Sequence, residues 1–101
     1  MSSPGSSDGV GPVLQATPTG RMILAAIEDE NDDVLVRDEG AYLRVLVPRV
    51  CRLSRVAVEA ATGSTVHFPG DLEVIMSSFA GKMRLTDDGA VWWLASEPTP
   101  S

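Results

Sequence analysis

The sequence has a single cysteine, Cys51, and a single histidine, His67, among its 101 residues. One cysteine cannot form an internal disulfide, and these two side chains alone cannot supply the ligands of a structural zinc site. The sequence also lacks the Glu-x-x-His pairs with which helical bundles hold two iron ions. We therefore expect no metal site in this chain.

Catalytic motifs are equally scarce. Ser77 and Ser78 lie in Met-Ser-Ser-Phe and not in the Gly-x-Ser-x-Gly pattern that presents a nucleophilic serine. One catalytic alternative stays open, a small enzyme that pairs His67 with a carboxylate such as Asp71 or Asp88. A histidine ahead of a Pro-Gly turn is more often a polar loop residue, so we expect no catalytic residues.

Basic residues are few, since 8 Lys and Arg face 14 Asp and Glu and leave a net charge of -6. Nucleic acids and anionic membranes both require clustered cations, so we expect neither as a partner. The longest apolar runs, Met22–Ile27 and Ala90–Ala95, fall far short of the roughly 20 residues that span a bilayer. The chain also begins without a basic and apolar leader, which predicts a cytoplasmic protein. We expect it to be a monomer when free.

An apolar content of 44% is enough for one modest core. Residues 1–9 are mostly Ser, Gly and Pro, which predicts a disordered tail. Residues 10–96 form the predicted domain, and residues 97–101, with two prolines, form a frayed end.

The first half of the chain predicts three strands and one helix. The run Val10–Gln15 predicts a strand, and Thr17-Pro18 is typical of a helix start. The stretches 34–37 and 41–47 predict two strands around a turn, and the second alternates apolar and polar residues.

The second half predicts one more strand, a capped helix and a hairpin. A strand over 50–53 leads to a helix over 55–62, which Ser54 caps and Gly63 ends. Residues 68–76 predict a helical turn, and residues 79–86 and 90–95 predict a hairpin. The predicted fold is α+β, a sandwich-like single domain of small, mostly antiparallel sheets packed with two to three short helices.

Trp92 and Trp93 are adjacent, so a strand must direct them to opposite faces. One ring can fill the core, and the other must lie against a helix or on a binding surface. We expect Phe79 to be a core anchor, whose replacement by alanine would lower stability by about 3–5 kcal/mol.

The stretch His67–Gly81 is an acidic, amphipathic segment that ends in Ser-Phe-Ala-Gly. It resembles a signature of the coupling, or effector, proteins of soluble di-iron monooxygenases, such as methane, toluene and alkene monooxygenases and phenol hydroxylase. Three other segments are similar to the toluene monooxygenase effectors and occur in the same order: Val10–Val13, Ala41–Val45 and Leu53–Arg55.

This resemblance implies a cofactor-free, non-catalytic protein that binds the di-iron hydroxylase of a multicomponent monooxygenase acting on an aromatic or alkene substrate. It would tune the active site and couple electron and oxygen use to substrate oxidation. A generic protein-interaction module is the alternative from another class.

The expected contact with the hydroxylase lies on residues 71–81, with help from the mobile segment up to Val10 and from the start of the second helix. Acidic groups there can pair with basic groups of the partner, while small residues allow close approach. The predicted partner-binding residues are Val10, Ser54, Arg55, Asp71, Glu73, Ser77, Ser78 and Gly81.

Overall fold

Seven strands form two antiparallel sheets, and three helices complete the fold in a computed structural model that describes residues 9–100. The strands are β1 (Gly9–Gln15), β2 (Leu35–Asp38), β3 (Tyr42–Pro48), β4 (Val50–Ser54), β5 (Met76–Ala80), β6 (Lys82–Thr86) and β7 (Gly89–Trp93). The helices are α1 (Pro18–Glu30), α2 (Arg55–Thr62) and α3 (Gly70–Ile75). The larger sheet has the order β2-β3-β1-β5 and the smaller has the order β4-β7-β6. The predicted α+β domain is confirmed, while the tail prediction for residues 1–8 lies outside the described residues.

The two longer helices begin at the predicted caps. Thr17 Oγ1 accepts the Gly20 N–H at 3.0 Å, and Ser54 Oγ accepts the Ala57 N–H at 3.0 Å. Helix α2 ends at Gly63, which adopts a left-handed φ of 72°. Short polar side chains satisfy the first free N–H groups of a helix, and glycine adopts positive φ without a steric penalty, which explains the success of these predictions.

The acidic C-terminal end of α1 closes the free edge of β4. The Asn31 side chain donates to the Arg52 carbonyl at 2.7 Å and accepts the Arg52 N–H at 2.9 Å. Glu30 accepts the Ser54 N–H at 2.6 Å. These contacts satisfy backbone groups that an edge strand would otherwise expose to other chains.

The core lies where the inner faces of both sheets meet the helices. In β3, Leu43, Val45 and Val47 are buried, whereas Tyr42 and Arg44 are exposed, as the alternation predicted. The core cluster also contains residues of β1, β4 and β7 and of all three helices. Within residues 9–100, no helix is long and apolar enough to cross a membrane.

Strand β1 corrects the expected boundary between tail and domain. Gly9 already pairs with Pro48, and Val10 pairs with Val47 on β3, the neighbouring inner strand of the larger sheet. The Val10 side chain is only 1% exposed, because β1 has a strand on each side and the core on its face. Val10 is therefore a core residue and not part of a mobile segment.

Gly81 divides what the sequence predicted as one strand over 79–86. Residues before it belong to β5 of the larger sheet, and residues after it belong to β6 of the smaller sheet. Gly81 has a φ of 93°, and Arg49, which links β3 of the larger sheet directly to β4 of the smaller sheet, has a φ of 69°. A positive φ turns the chain out of the extended path, so the single-strand prediction was wrong.

Both tryptophans are buried. Trp92 is fully buried in the core cluster, and Trp93, on the opposite face of β7, is only 6% exposed. The opposite orientations are confirmed, but neither ring is available as an exposed binding aromatic.

Candidate protein-binding surface

The acidic segment predicted to bind a partner begins in α3, a helix of six residues. Leu72 and Ile75 face the core, three positions apart as one side of a helix requires. Asp71, Glu73 and Val74 lie on the other side, where the Val74 side chain is 74% exposed. The helix therefore presents two carboxylates and one apolar side chain to the exterior.

The carboxylate of Asp71 has a fixed position. Its Oδ2 accepts the backbone N–H of His67 at 2.8 Å, and the Asp71 N–H donates to the His67 carbonyl at 2.9 Å. Glu73, in contrast, forms no ion pair or side-chain hydrogen bond with another residue of the described range 9–100. The first carboxylate thus organises the loop, and the second is free to meet a partner.

The segment continues into β5, which among residues 9–100 is the outermost strand of the larger sheet and pairs only with β1. Ser78 pairs with Val13 and Met76 pairs with Leu14, which leaves Ser77 as an extra residue. The Ser77 hydroxyl donates to the Val13 carbonyl at 3.3 Å. Such bulges occur preferentially at sheet edges and near functional sites, where they redirect side chains.

Phe79 corrects our expectation of a core anchor, because its side chain is 42% exposed. Its partner on β1 is Pro12, and β5 is the outermost strand of the larger sheet within the described residues. The prediction rested on a large apolar side chain, and no sequence pattern indicated that Phe79 lies on an edge strand.

Ser54 and Arg55 lie at the junction of β4 and α2, and their polar groups have internal partners. Ser54 caps α2, as described above. Arg55 Nη1 lies 3.1 Å from Glu59 Oε2, and Arg55 Nε donates to the Asp87 carbonyl at 3.2 Å. The structure thus gives both residues a role in the fold.

Glu59 connects this junction to the loop before α3. Its Oε2 also accepts the Val66 N–H at 2.9 Å. This hydrogen bond, assisted by Arg55, holds the pKa of the Glu59 carboxyl below its ordinary value. Because His67 follows Val66 and bonds to Asp71, a series of contacts links Arg55 to the acidic helix.

A groove of about 270 Å³ lies between the three helices and reaches the same surface. Asp71 and Val74 line it together with residues of α1, α2 and the loop before α3. Its apolar lining consists of Ile23, Val58, Val66, Phe68, Val74 and Ile75, and its polar lining of Thr19, Thr62 and Asp71. No sequence pattern predicts this groove, because its lining comes from four separate segments.

The candidates for chemistry are not brought together. Within residues 9–100, no three His, Cys, Asp or Glu side chains could share a metal ion. His67 meets Asp71 through its backbone N–H, and its ring forms no hydrogen bond with a carboxylate of the described residues. Burial, with a smaller contribution from the charge of Glu30, raises the pKa of the Cys51 thiol to about 12, so the thiol is protonated and unreactive at neutral pH.

Comparison with known proteins identifies the family of this chain. Residues 8–94 match the MmoB/DmpM family. The chain belongs to this family. It is 34% identical over 89 residues to the effector subunit of the alkene monooxygenase system of Xanthobacter autotrophicus, and the match covers 86% of this chain and 87% of that protein.

The fold of this MmoB/DmpM protein is also similar to solved structures. Two structures of a phenol hydroxylase–regulatory protein complex contain chains that match it with TM-scores of 0.76 and 0.72. Each match covers 83% of this chain at 20% identity, and 95% and 98% of the respective solved chains. At this identity the similarity establishes the fold alone.

Proposed function

We propose that this protein is the effector subunit of a multicomponent di-iron monooxygenase, a non-catalytic component that binds the hydroxylase and couples electron and oxygen use to oxidation of an alkene or aromatic substrate. The observation that carries the proposal is the similarity to the alkene monooxygenase effector over nearly the whole length of both chains. Among the described residues, no three His, Cys, Asp or Glu side chains form a metal site and no hydrogen bond joins the His67 ring to a carboxylate, which supports a role without chemistry of its own.

The mechanism is a shift between two conformations of the hydroxylase. An effector changes an equilibrium only if it binds one conformation more tightly than the other. The proposed docking surface, residues 71–81, is rigidly supported, because Leu72 and Ile75 anchor α3 in the core and β5 is bonded to β1. A rigid surface loses little conformational freedom on binding, so more of its contact energy is available to select a conformation.

The roles within the docking surface follow from exposure. The Val74 and Phe79 side chains provide apolar contacts, the carboxylates of Asp71 and Glu73 pair with basic groups, and the bulge at Ser77 and Ser78 allows close approach. Gly81 sets the direction of the chain at the end of this surface.

The other predicted residues contribute indirectly or not at all. Ser54 and Arg55 support the surface through Glu59 and the loop before α3. We omit Val10 from the docking surface, because its side chain is buried.

The Glu73→Lys variant tests the proposal most cleanly, because the carboxylate of Glu73 forms no ion pair or side-chain hydrogen bond within residues 9–100. As an acidic residue in the first turn of α3, Glu73 favours the helix only modestly. Product formation and reductant consumption by the hydroxylase would be measured at increasing effector concentration. We expect about three- to tenfold more variant to be needed at low salt, and a smaller difference at high salt, since salt screens exposed charges. Asp71→Lys should weaken coupling too, but it also removes the acceptor of the His67 N–H.

Asp32→Lys is the matched control, since Asp32 is an exposed carboxylate in the turn between α1 and β2 and undergoes the same change of charge. It should leave coupling unchanged. Equal behaviour of the two variants at low salt would locate the docking surface elsewhere. A wild-type protein that neither binds the hydroxylase nor alters its turnover would refute the proposed function itself.

A further inference from the structure

Three cations share the outer face of the smaller sheet. The strand register pairs Arg52 with Val91 on one side of β7 and Arg84 with Val91 on the other. Lys82 lies two residues before Arg84, so it points to the same face. We call Arg52, Lys82 and Arg84 the basic face.

The cations of the basic face differ from most others in the chain. Four of the eight Lys and Arg residues form ion pairs with carboxylates, namely Arg21, Arg44, Arg49 and Arg55. Within residues 9–100, Arg52, Lys82 and Arg84 are exposed and have no ion pair or side-chain hydrogen bond. Three unpaired cations on one face are unexpected in a chain with a net charge of -6.

Protection of the sheet edge does not explain the whole set. Charged side chains on an edge strand prevent unwanted pairing, and β6 is such a strand. Arg52, however, lies on β4, whose edge is already closed by Asn31 at the Arg52 N–H and carbonyl. Its charge is therefore not needed to block that edge.

The surroundings are suited to contact with another surface. A shallow groove of about 310 Å³ runs over Arg52, Val91 and Arg84, and Glu30 and Asp88 lie at its end near the β6–β7 turn. The two arginines are separated by two strand spacings, about 10 Å. Carboxylates on a partner can approach both of them across the half-buried Val91.

The basic face also continues the proposed docking surface. Lys82 directly follows Gly81, so the cations begin where the segment 71–81 ends. Acidic groups lie at the α3 end of this continuous stretch, and basic groups lie at the β6 end. Complementary charges of both signs fix the orientation of a partner better than one sign alone.

We infer that the basic face binds an acidic patch of the hydroxylase, so that docking uses an acidic contact at α3 and a basic contact at β4 and β6. The inference rests on the proposed function and adds the second contact to it. The carboxylates of the partner provide the ion pairs that Arg52, Lys82 and Arg84 do not form within residues 9–100.

Lys82 offers a direct test, because it is the only lysine in the sequence. A water-soluble carbodiimide joins an amine to a carboxylate that touches it without adding a spacer. Treatment of the effector–hydroxylase complex should yield a peptide in which Lys82 is linked to an Asp or Glu of the hydroxylase. The Lys82→Arg variant keeps the charge but should lose this cross-link.

Affinity measurements with the purified hydroxylase complete the test. Arg52→Glu and Arg84→Glu should each weaken binding about five- to tenfold at low salt and less at high salt. Arg37→Glu is the matched control, since Arg37 is an exposed, unpaired arginine on the larger sheet within the described residues. It should leave the affinity unchanged.

Three outcomes would overturn the inference while leaving the proposed function intact. The first is that the wild-type protein binds the hydroxylase without forming a Lys82 cross-link, and that Arg52→Glu and Arg84→Glu weaken the affinity no more than Arg37→Glu. The second is that the charge reversals change only the self-association of the protein, measured by sedimentation. That result would assign the basic face to contact with a second copy of this chain. The third is a shift of the backbone amide resonances of the basic face on addition of inorganic phosphate, while the charge reversals leave the hydroxylase affinity unchanged. That result would assign the basic face to a phosphate ligand. Failure of the wild-type protein to bind the hydroxylase at all would instead refute the proposed function.

Discussion

Replacing Gly81 by alanine tests whether the corner between the two sheets depends on a residue without a side chain. Gly81 has a φ of 93°, a conformation that residues with a Cβ atom rarely adopt. A Cβ atom at this position would overlap the Trp93 carbonyl oxygen and would lie 2.8 Å from Val10 Cγ1. Both neighbours belong to the folded interior, so neither can move away without disturbing a strand.

Two terms add to the expected loss of stability. A left-handed conformation costs an L-residue about 1–2 kcal/mol. Forcing a methyl group into packed surroundings typically costs about 1–3 kcal/mol more. The expected loss is therefore about 2–5 kcal/mol, a large part of the roughly 5–15 kcal/mol that holds a domain together.

Gly40 is the matched control, because it has a nearly equal φ of 88° and a methyl group added there would have no other atom within 4 Å. Gly40→Ala should cost only the conformational term, about 1–2 kcal/mol. The free energies of unfolding would be measured by denaturant titration with tryptophan fluorescence. Equal losses for Gly40→Ala and Gly81→Ala would refute the argument that close packing at the corner requires glycine.

Three further predictions follow from single side chains. Ser54→Ala should lower the free energy of unfolding by about 1 kcal/mol through loss of the helix cap, whereas Ser78→Ala, which caps no helix, should change it little. Phe79→Ala should lower the free energy of unfolding by about 1 kcal/mol, well below the loss for a buried ring, because the side chain is half exposed. The folded variant should nevertheless bind the hydroxylase more weakly, as a binding titration would show. Burial raises the pKa of the Cys51 thiol to about 12 in the folded protein, above the ordinary thiol pKa of about 8.5. The buried neutral thiol therefore contributes its full share to the free energy of unfolding below about pH 8.5, and this contribution declines as the pH rises toward 12. Unfolding titrations between these pH values should show that decline in the wild type and less of it in Cys51→Ala.

Local chemistry explains what the sequence predicted correctly. The caps at Thr17 and Ser54, the stop at Gly63 and the alternation in β3 depend on residues close together in the chain. Their physical causes act over one helical turn or one strand pair, so they can be recognised before the fold is known.

The errors concern the positions of strands within the sheets. Val10 was expected to border a mobile tail because polar residues precede it, but it lies on β1, an inner strand of the larger sheet, and is buried. Phe79 was expected in the core because its side chain is large and apolar, but β5 is an edge strand. Strand order depends on pairings between distant segments, and a local pattern carries no information about it.

The same distinction separates the parts of the candidate site. The acidic residues Asp71 and Glu73 were visible in the sequence as an amphipathic pattern. The groove forms only when α1, α2 and α3 come together in the fold. The basic face forms only when β4, β6 and β7 pair in the smaller sheet. Neither the groove nor the basic face has a motif of its own.

The free energy needed to shift the hydroxylase between two conformations indicates what the charged and the apolar contacts of the effector must each contribute. Moving a hydroxylase equilibrium from 1:99 to 99:1 requires about 10⁴-fold preference for one conformation, or about 5.5 kcal/mol. An exposed ion pair contributes only about 0.2–1 kcal/mol, so the charges of α3 and of the basic face together fall short of this sum. Burial of apolar area contributes about 25 cal/mol per Å². The exposed side chains of Val74, at the groove, and Phe79, on β5, supply such area. In the proposed mechanism the charges therefore orient the complex, and the apolar contacts, formed fully in only one hydroxylase conformation, provide most of the preference.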